Sequence, residues 1–331
     1  SLARPVRSRH PPDMRPLTLR DIHLARRRIA SAAYRTPLER SDWLSELAGC
    51  DVYLKLECWQ RTRSFKVRGA FNAVATLTAE ERARGLVAAS AGNHGQGVAL
   101  AAREAGIRAT IFVPSSAPAM KQARIRSFGA ELEQVEGTYD DAEAAAVAYA
   151  RETGATFVHA YSDPCVVAGQ GTIALEVLET LPELREVIVP VGGGGLIAGI
   201  GLVMSAVGGV RVVGVQSELT RSMHDAFEAG APVPPVDHGT TLADGLAGGV
   251  EEESYERARP VTDEIRLVGE DSIAAAIREL YRRDGLVVEG AGATAVALLR
   301  DGYRPRSGPA VLILSGGNID AGRLADILES K

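Results

Sequence analysis

The sequence predicts an α/β protein built of parallel sheets flanked by helices. From Leu86 onward, short apolar runs alternate with helical stretches, and a glycine turn follows most of the apolar runs. Strands that alternate with helices imply parallel sheets covered on both faces. There are also too many strands for one ordinary sheet, so the pattern divides into two. At 331 residues the chain fits one large domain or two of ordinary size.

In chain order, Leu19–Ala33 reads as an amphipathic helix, with Ile22, Leu24, Ile29 and Ala33 set among arginines, and Thr36-Pro37-Leu38 breaks it. A short helix near Trp43–Leu47 precedes an alternating strand, Val52–Leu56. After the polar turn Gln60–Arg63, Ser64 is a good helix N-cap, and Val67, Ala70, Phe71 and Val74 recur at helical spacing. The next strands are Leu86–Ala89, Ala109–Val113, Glu131–Val135 and Thr156–His159, with helices at Val98–Ala105, Ala119–Phe128 and Asp140–Glu152 between them. The rhythm resumes with strands Val187–Val191, Val210–Val215, Ile265–Val268 and Ala310–Leu314, separated by helices such as Ser272–Arg282. Pro232-Val233-Pro234-Pro235 is the long irregular loop, and no internal repeat or low-complexity tract is evident.

Hydrophobic residues make up 46% and charged residues 24%, the composition of a soluble globular protein. A net charge of −5 without a basic stripe argues against a nucleic-acid partner. The uncharged run Val187–Val210 is long enough to span a bilayer, but Pro190 and the glycines after it make it a strand, loop and buried helix, so no membrane partner is expected. Cys50, Cys58 and Cys165 lack metal-ligand spacing and read as reduced thiols of a cytoplasmic protein. The Arg- and Pro-rich opening, Ser1–Asp13, lacks the apolar centre of a secretory signal. It reads as a transit peptide or a vector-derived extension ahead of a start at Met14.

In an open parallel sheet, ligands sit beyond the carboxyl ends of the strands. Three such turns carry unusual residues. Ser90, Ala91, Gly92, Asn93 and His94 combine small residues with hydrogen-bonding side chains at a helix start, a combination suited to a carboxylate. Gly192, Gly193, Gly194 and Gly195 precede Leu196 and an apolar helix, and four glycines in a row suit a backbone cradle for phosphate. No Gly-Lys-Ser/Thr follows, so this is not an ATP-type loop. A degenerate dinucleotide match, Gly193-x-Gly195-x-x-Ala198, lacks the acidic residue at the end of the next strand, which reads Val215-Gln216-Ser217. Ser315-Gly316-Gly317-Asn318 closes the last strand. Taken singly, the first reads equally well as a tight turn with Asn93 and His94 as local caps, and the last reads as an ordinary turn.

Lys66 changes that reading. It stands in the first helical turn with only Gly69, Ala70 and Ala73 as its i+3, i+4 and i+7 neighbours, so a bulky anion has room beside it. A lysine amine, a phosphate cradle, a carboxylate cradle and one further polar group fit pyridoxal phosphate held as a Schiff base. Lys66 would hold the aldehyde carbon, the Gly192–Leu196 amides the phosphate, and Ser90–His94 the amino-acid carboxylate. Ser315 would face the pyridine nitrogen, and its neutrality favours expulsion of a β-substituent over full delocalisation of the carbanion.

Ser64-Phe65-Lys66, Ser90–His94, Gly192–Gly195 and Ser315–Asn318 together resemble the fold-type II (tryptophan synthase β-like) pyridoxal-phosphate enzymes. Within these, the chain resembles the serine/threonine dehydratase and serine racemase branch, with Gly169–Ala174, Ala243-Asp244-Gly245 and Glu289–Gly292 fitting the same pattern. The resemblance runs from about Leu17 to the C-terminus. It implies elimination of water from a hydroxy-amino acid, giving a 2-oxo acid and ammonia, with Lys66 removing the Cα proton. The preferred substrate is expected to be L-threonine or L-serine; 3-hydroxyaspartate, a serine racemase, a nicotinamide-dependent oxidoreductase and a non-catalytic binder are the rival readings. By the same resemblance Phe65 borders the cofactor ring and Asn93 bonds its 3′-oxygen. The resemblance also implies a large cofactor domain of 1–83 and 162–331, a small domain of 84–161 that closes on the substrate, no regulatory domain, and a homodimer or homotetramer. Two positions depart from the family pattern. Arg63 replaces the usual glycine and is expected to be solvated, and Gln216 replaces a carboxylate cation ligand of the racemase-type relatives. With Gln216 there, and Glu218 two residues on, no metal is expected.

Overall fold

The computed structural model describes residues 16–234, 239–306 and 308–330. The opening Ser1–Asp13 segment and Pro235 of the proline run lie outside the described residues. The chain forms two compact units. One contains residues up to Ala33 together with Lys66–Gly169, and the other contains Tyr34–Phe65 with everything from Gln170 onward.

The first unit holds a four-stranded, fully parallel sheet. Its strands are β3 (Leu86–Ala89), β4 (Ala109–Pro114), β5 (Glu131–Val135) and β6 (Thr156–Phe157), after β1 (Leu38–Arg40) and β2 (Val52–Lys55) of the other unit. The spatial order is β5-β4-β3-β6. Side chains alternate across a strand, and both faces of this one are covered. Leu86 and Ala88 of β3 enter one apolar cluster with Val67, Val98 and Ile125, while Val87 and Ala89 enter another with Phe112, Ala142 and Ala146. Both faces of β3 are therefore apolar, which is why the run carries no polar residue.

The second unit holds six strands in the order β1-β2-β10-β7-β8-β9, with β7 Glu186–Pro190, β8 Arg211–Ser217, β9 Glu264–Val268 and β10 Ala310–Ile313. Every neighbouring pair is parallel except β1 with β2. Leu54, Ile188, Val213, Val215 and Leu312 of these strands meet Ile277, Leu280 and Val296 in a single core.

The fold class is as the sequence indicates; several element ends shift, such as the first helix, which stops at Ile29 rather than Ala33, and three differences bear on the site. Helix Asn93–Ala105 starts five residues earlier than the Val98 expected from propensity. Glycines weaken a helix intrinsically, but here packing requires one: a Cβ on Gly95 would lie 2.3 Å from the Ser90 carbonyl oxygen. Strand β6 stops at Phe157 rather than His159, because the His159 ring turns back to accept the next main-chain N–H groups. Finally, the helix carrying Lys66 begins at that residue, so Ser64 does not occupy the capping position and forms an isolated antiparallel bridge with Gly316.

Candidate active site

In the first unit the Lys66–Ala75 helix buries Val67, Ala70, Phe71 and Val74, the stripe read from the sequence, and leaves Lys66 at its first turn. Lys66 Nζ donates to the Ala160 carbonyl at 2.9 Å. Burial strips water from the ammonium, and this lowers its pKa to about 8. Near neutrality a useful share of the amine is therefore unprotonated and nucleophilic.

The Ala160 carbonyl is held by the turn that follows β6. His159 Nδ1 accepts from the main-chain N–H of Tyr161 at 3.3 Å and of Ser162 at 3.1 Å, while its Nε2 faces Glu143 at 3.2 Å. Sequence reading did not single out Ala160 or His159. A carbonyl has no residue signature, and the only clue was a histidine at a strand end.

Ser90–His94 follow β3 directly. Ser90 Oγ accepts from Gly92 N–H at 3.1 Å, which closes a tight turn and leaves the hydroxyl proton for another acceptor. The N-cap residue of the helix that starts at Asn93 is Gly92, which makes no side-chain cap bond, and the positive end of the helix lies at this turn. His94 plays a different part from the anion donor suggested by its residue type. Its Nε2 lies 2.8 Å from the Val158 carbonyl, which can only accept, so Nε2 carries the proton. Nδ1 is buried without a partner. Burial, and then the nearby Lys66 charge, push the imidazole pKa down to about 3. His94 is thus a neutral ring with one open acceptor, and any bond from it to a carboxylate would come from its main-chain N–H.

In the second unit the glycine loop links β7 to helix Gly195–Val207, which also starts without a side-chain cap. Gly194 has φ +96°, a conformation that L side chains rarely adopt. A Cβ there would meet Met223 Cε at 2.6 Å and Ser254 Oγ at 2.8 Å. Ser254 Oγ also donates to the Gly193 carbonyl. The result is an uncapped helix N-terminus entered through glycines, whose bare main chain fits a phosphate group.

Ser315 is buried at the end of β10, and its carbonyl accepts from Phe65 N–H at 3.1 Å. Gly317 N–H donates to the Arg63 carbonyl at 2.9 Å, and Asn318 Nδ2 donates to the Thr62 carbonyl at 2.8 Å. The residues just before Lys66 in the chain are therefore zipped along Ser315–Asn318. Arg63 sits at φ +55°, the left-handed region that glycine would occupy freely. It is partly buried, and its Nε reaches the Gly317 carbonyl at 3.4 Å, so it is anchored rather than solvated. Among the described residues, no group of three or more His, Cys, Asp or Glu is placed to hold a metal ion, and no helix is long and apolar enough to cross a membrane.

A lysine amine with a depressed pKa and a glycine-walled anion cradle are the equipment of an enzyme that works through an aldehyde-bearing phosphate cofactor. The family model for pyridoxal-phosphate dependent enzymes matches residues 29–316, and the chain belongs to that family. The protein is similar to the L-threonine ammonia-lyase of Thermotoga maritima, at 44% identity over 94% of this chain and 78% of that protein. It is also similar to the L-threonine dehydratase catabolic TdcB of Escherichia coli K12, at 41% identity over 94% of this chain and 96% of that one. Among solved structures, maize serine racemase aligns with TM-score 0.89 at 32% identity, covering 93% of this chain and 96% of that one. A T.th. threonine deaminase aligns with TM-score 0.85 at 37% identity, covering 92% of this chain and 99% of that one.

Proposed function

We propose that this enzyme is a dehydratase that converts L-threonine, L-serine or both to the 2-oxo acid and ammonia. The observation that carries the reading is the Lys66 amine, held at the Ala160 carbonyl with its pKa drawn down to about 8, in a chain with curated relatives named for threonine ammonia-lyase chemistry. Pyridoxal phosphate, when bound, supplies an electron-withdrawing ring that stabilises negative charge at the substrate Cα. Gly192, Gly193, Gly194, Gly195 and Leu196 would hold its phosphate, Phe65 would border its ring, Asn93 would bond its 3′-oxygen and Ser315 would face its ring nitrogen. Ser90, Ala91, Gly92 and Asn93, with the His94 main chain, would bind the substrate carboxylate, aided by the helix start. Lys66 takes the Cα proton at Nζ, the β-hydroxyl leaves as water, and hydrolysis of the released enamine gives the oxo acid and ammonia. The segment 84–161 would close over the substrate and exclude water. We place the enzyme in the cytoplasm as a homodimer or homotetramer. Its three cysteines are free thiols, and size-exclusion chromatography with light scattering tests the assembly.

Elimination is favoured over racemisation because inversion needs an acid–base group on each face of the planar carbanion. Lys66 serves one face, and Ala91 offers only a methyl group on the turn that would serve the other. The test is a panel of L-threonine, L-serine and 3-hydroxyaspartate assayed for ammonia, with chiral chromatography of the serine reaction. Ammonia released fastest from threonine or serine, with at most trace D-serine, supports the reading. D-serine forming as fast as pyruvate overturns it, and Ala91→Ser is expected to raise the D-serine to pyruvate ratio.

A further inference from the structure

Gln216 is the penultimate residue of β8 and is fully buried, yet both ends of its amide are used. Nε2 donates to the Thr220 carbonyl at 2.7 Å, and Oε1 accepts from His224 N–H at 2.8 Å. Between these partners the chain turns through Leu219, whose N–H donates to Ser217 Oγ at 3.0 Å, and Thr220, whose N–H donates to the Ser217 carbonyl at 2.9 Å. It then enters helix Ser222–Ala229, where His224 N–H is a first-turn donor with no intrahelical acceptor. One side chain thus clamps a turn carbonyl and a helix N-terminus at fixed separation. Inside that clamp lies Met223, fully buried, with its Cε so near Gly194 that a Cβ on the glycine would come within 2.6 Å.

We infer that the Gln216 amide is a latch that positions Met223 against Gly194 and so sets the shape of the glycine loop. The latch also does the work that a bound cation would do in gathering oxygens at this turn. The chemistry follows from the donor on Nε2. A neutral amide can be buried at modest cost once both ends are bonded, whereas a carboxylate cannot unless it is paired. Glutamate at this position would set an anionic oxygen against the Thr220 carbonyl oxygen, two acceptors with no proton between them. The basic side chains on this turn, Arg221 and His224, are each engaged by Asp225, at 2.8 and 3.2 Å. A proton would relieve the contact at low pH, and a hard divalent cation, which takes carboxylate and carbonyl oxygens together, would relieve it while the glutamate stays ionised. Gln216→Glu should therefore acquire a dependence on divalent cations that the parent does not have. The loop-positioning part rests on the phosphate-cradle reading above; the cation part does not.

The experiment uses the purified holoenzyme, its Gln216→Glu variant and a Gln216→Met variant, which keeps the bulk and loses the bonds. Melting temperatures are taken in EDTA, in millimolar calcium or magnesium chloride, and in sodium chloride of matched ionic strength. The parent should melt alike in all three. Gln216→Glu should melt about 5 °C lower in EDTA and regain at least half of that with the divalent salt alone, while Gln216→Met should melt lower in every buffer. Loss of the visible cofactor band on dilution should be about three- to tenfold faster for Gln216→Met. A parent that responds to divalent cations, or a Gln216→Glu variant that folds but ignores them, overturns the cation half. A Gln216→Met variant that keeps its cofactor as the parent does overturns the positioning half. If the parent carries no visible band at all, the cofactor reading fails while the melting data still judge the latch.

Discussion

Among the helices that follow a strand without a side-chain cap on the N-cap residue, those at Asn93 and Gly195 are built on opposite plans. The one at Asn93 is surrounded by functional side chains: Ser90 closes its turn, a neutral His94 leans on Val158, and the Lys66 charge is close enough to depress the imidazole. The one at Gly195 is entered through glycines, with Met223 and Ser254 packed against Gly194 and Ser254 Oγ donating to the Gly193 carbonyl. A phosphate is the same in every turnover and can be held by fixed N–H groups. A substrate must be recognised, released and acted on by protons, which takes groups with adjustable chemistry. Under the proposed function the first plan serves catalysis and the second permanent anchoring, and the contrast can be broken one side at a time.

The largest effect is expected on the catalytic side. If Lys66 acts as proposed, Lys66→Ala removes both the covalent anchor and the Cα base, and loss of the base alone costs about 10²–10⁴-fold in turnover. Steady-state ammonia release within tenfold of the parent would show that the lysine is not the base. On the anchoring side, Gly194→Ala forces a side chain into φ +96° and against Met223 and Ser254. The conformation alone costs roughly 1–2 kcal/mol. Cofactor affinity should fall about tenfold or more, with substrate KM changing less; equal affinity by equilibrium dialysis would mean that the loop does not carry the phosphate.

A pH series separates the two plans more finely. The Lys66 pKa, lowered from 10.5 to about 8, lies below that of a free lysine, so the protonated form is the disfavoured one in the folded protein. The rate at which cofactor-free enzyme regains its visible band should rise from pH 6, pass half its maximum near pH 8 and level off above about pH 9, and at pH 7 run at about a tenth of the plateau. A profile still climbing steeply towards pH 10 would place the amine in water instead.

The smallest effect concerns the ribbon before the lysine. Arg63→Ala keeps the left-handed strain of φ +55° and Arg63→Gly removes it. The glycine variant should therefore melt about 2 °C above the alanine variant, from roughly 1 kcal/mol of relieved strain. Equal melting temperatures would mean that the loop relaxes on its own.

Much of this was legible because apolar stripes and glycine runs record packing and backbone geometry directly. The stripe of Val67, Ala70, Phe71 and Val74 is buried as its spacing indicates, and Gly192–Gly195 lies where β7 meets a helix. What escaped was chemistry carried by main-chain atoms and protonation states. No residue type announces that the Ala160 carbonyl will hold the lysine, or that His94 will spend its one proton on Val158. Arg63 escaped for a related reason, since its reach to Gly317 depends on a backbone angle that side-chain identity argues against.

The most direct test of Lys66 as the cofactor's anchor is to treat the purified protein with borohydride, digest it and map the modified peptide by mass spectrometry. The expected result is a yellow protein whose visible band is lost on reduction, with one pyridoxyl-phosphate adduct, on Lys66. A colourless protein, or a reduced adduct on any other lysine, would contradict it.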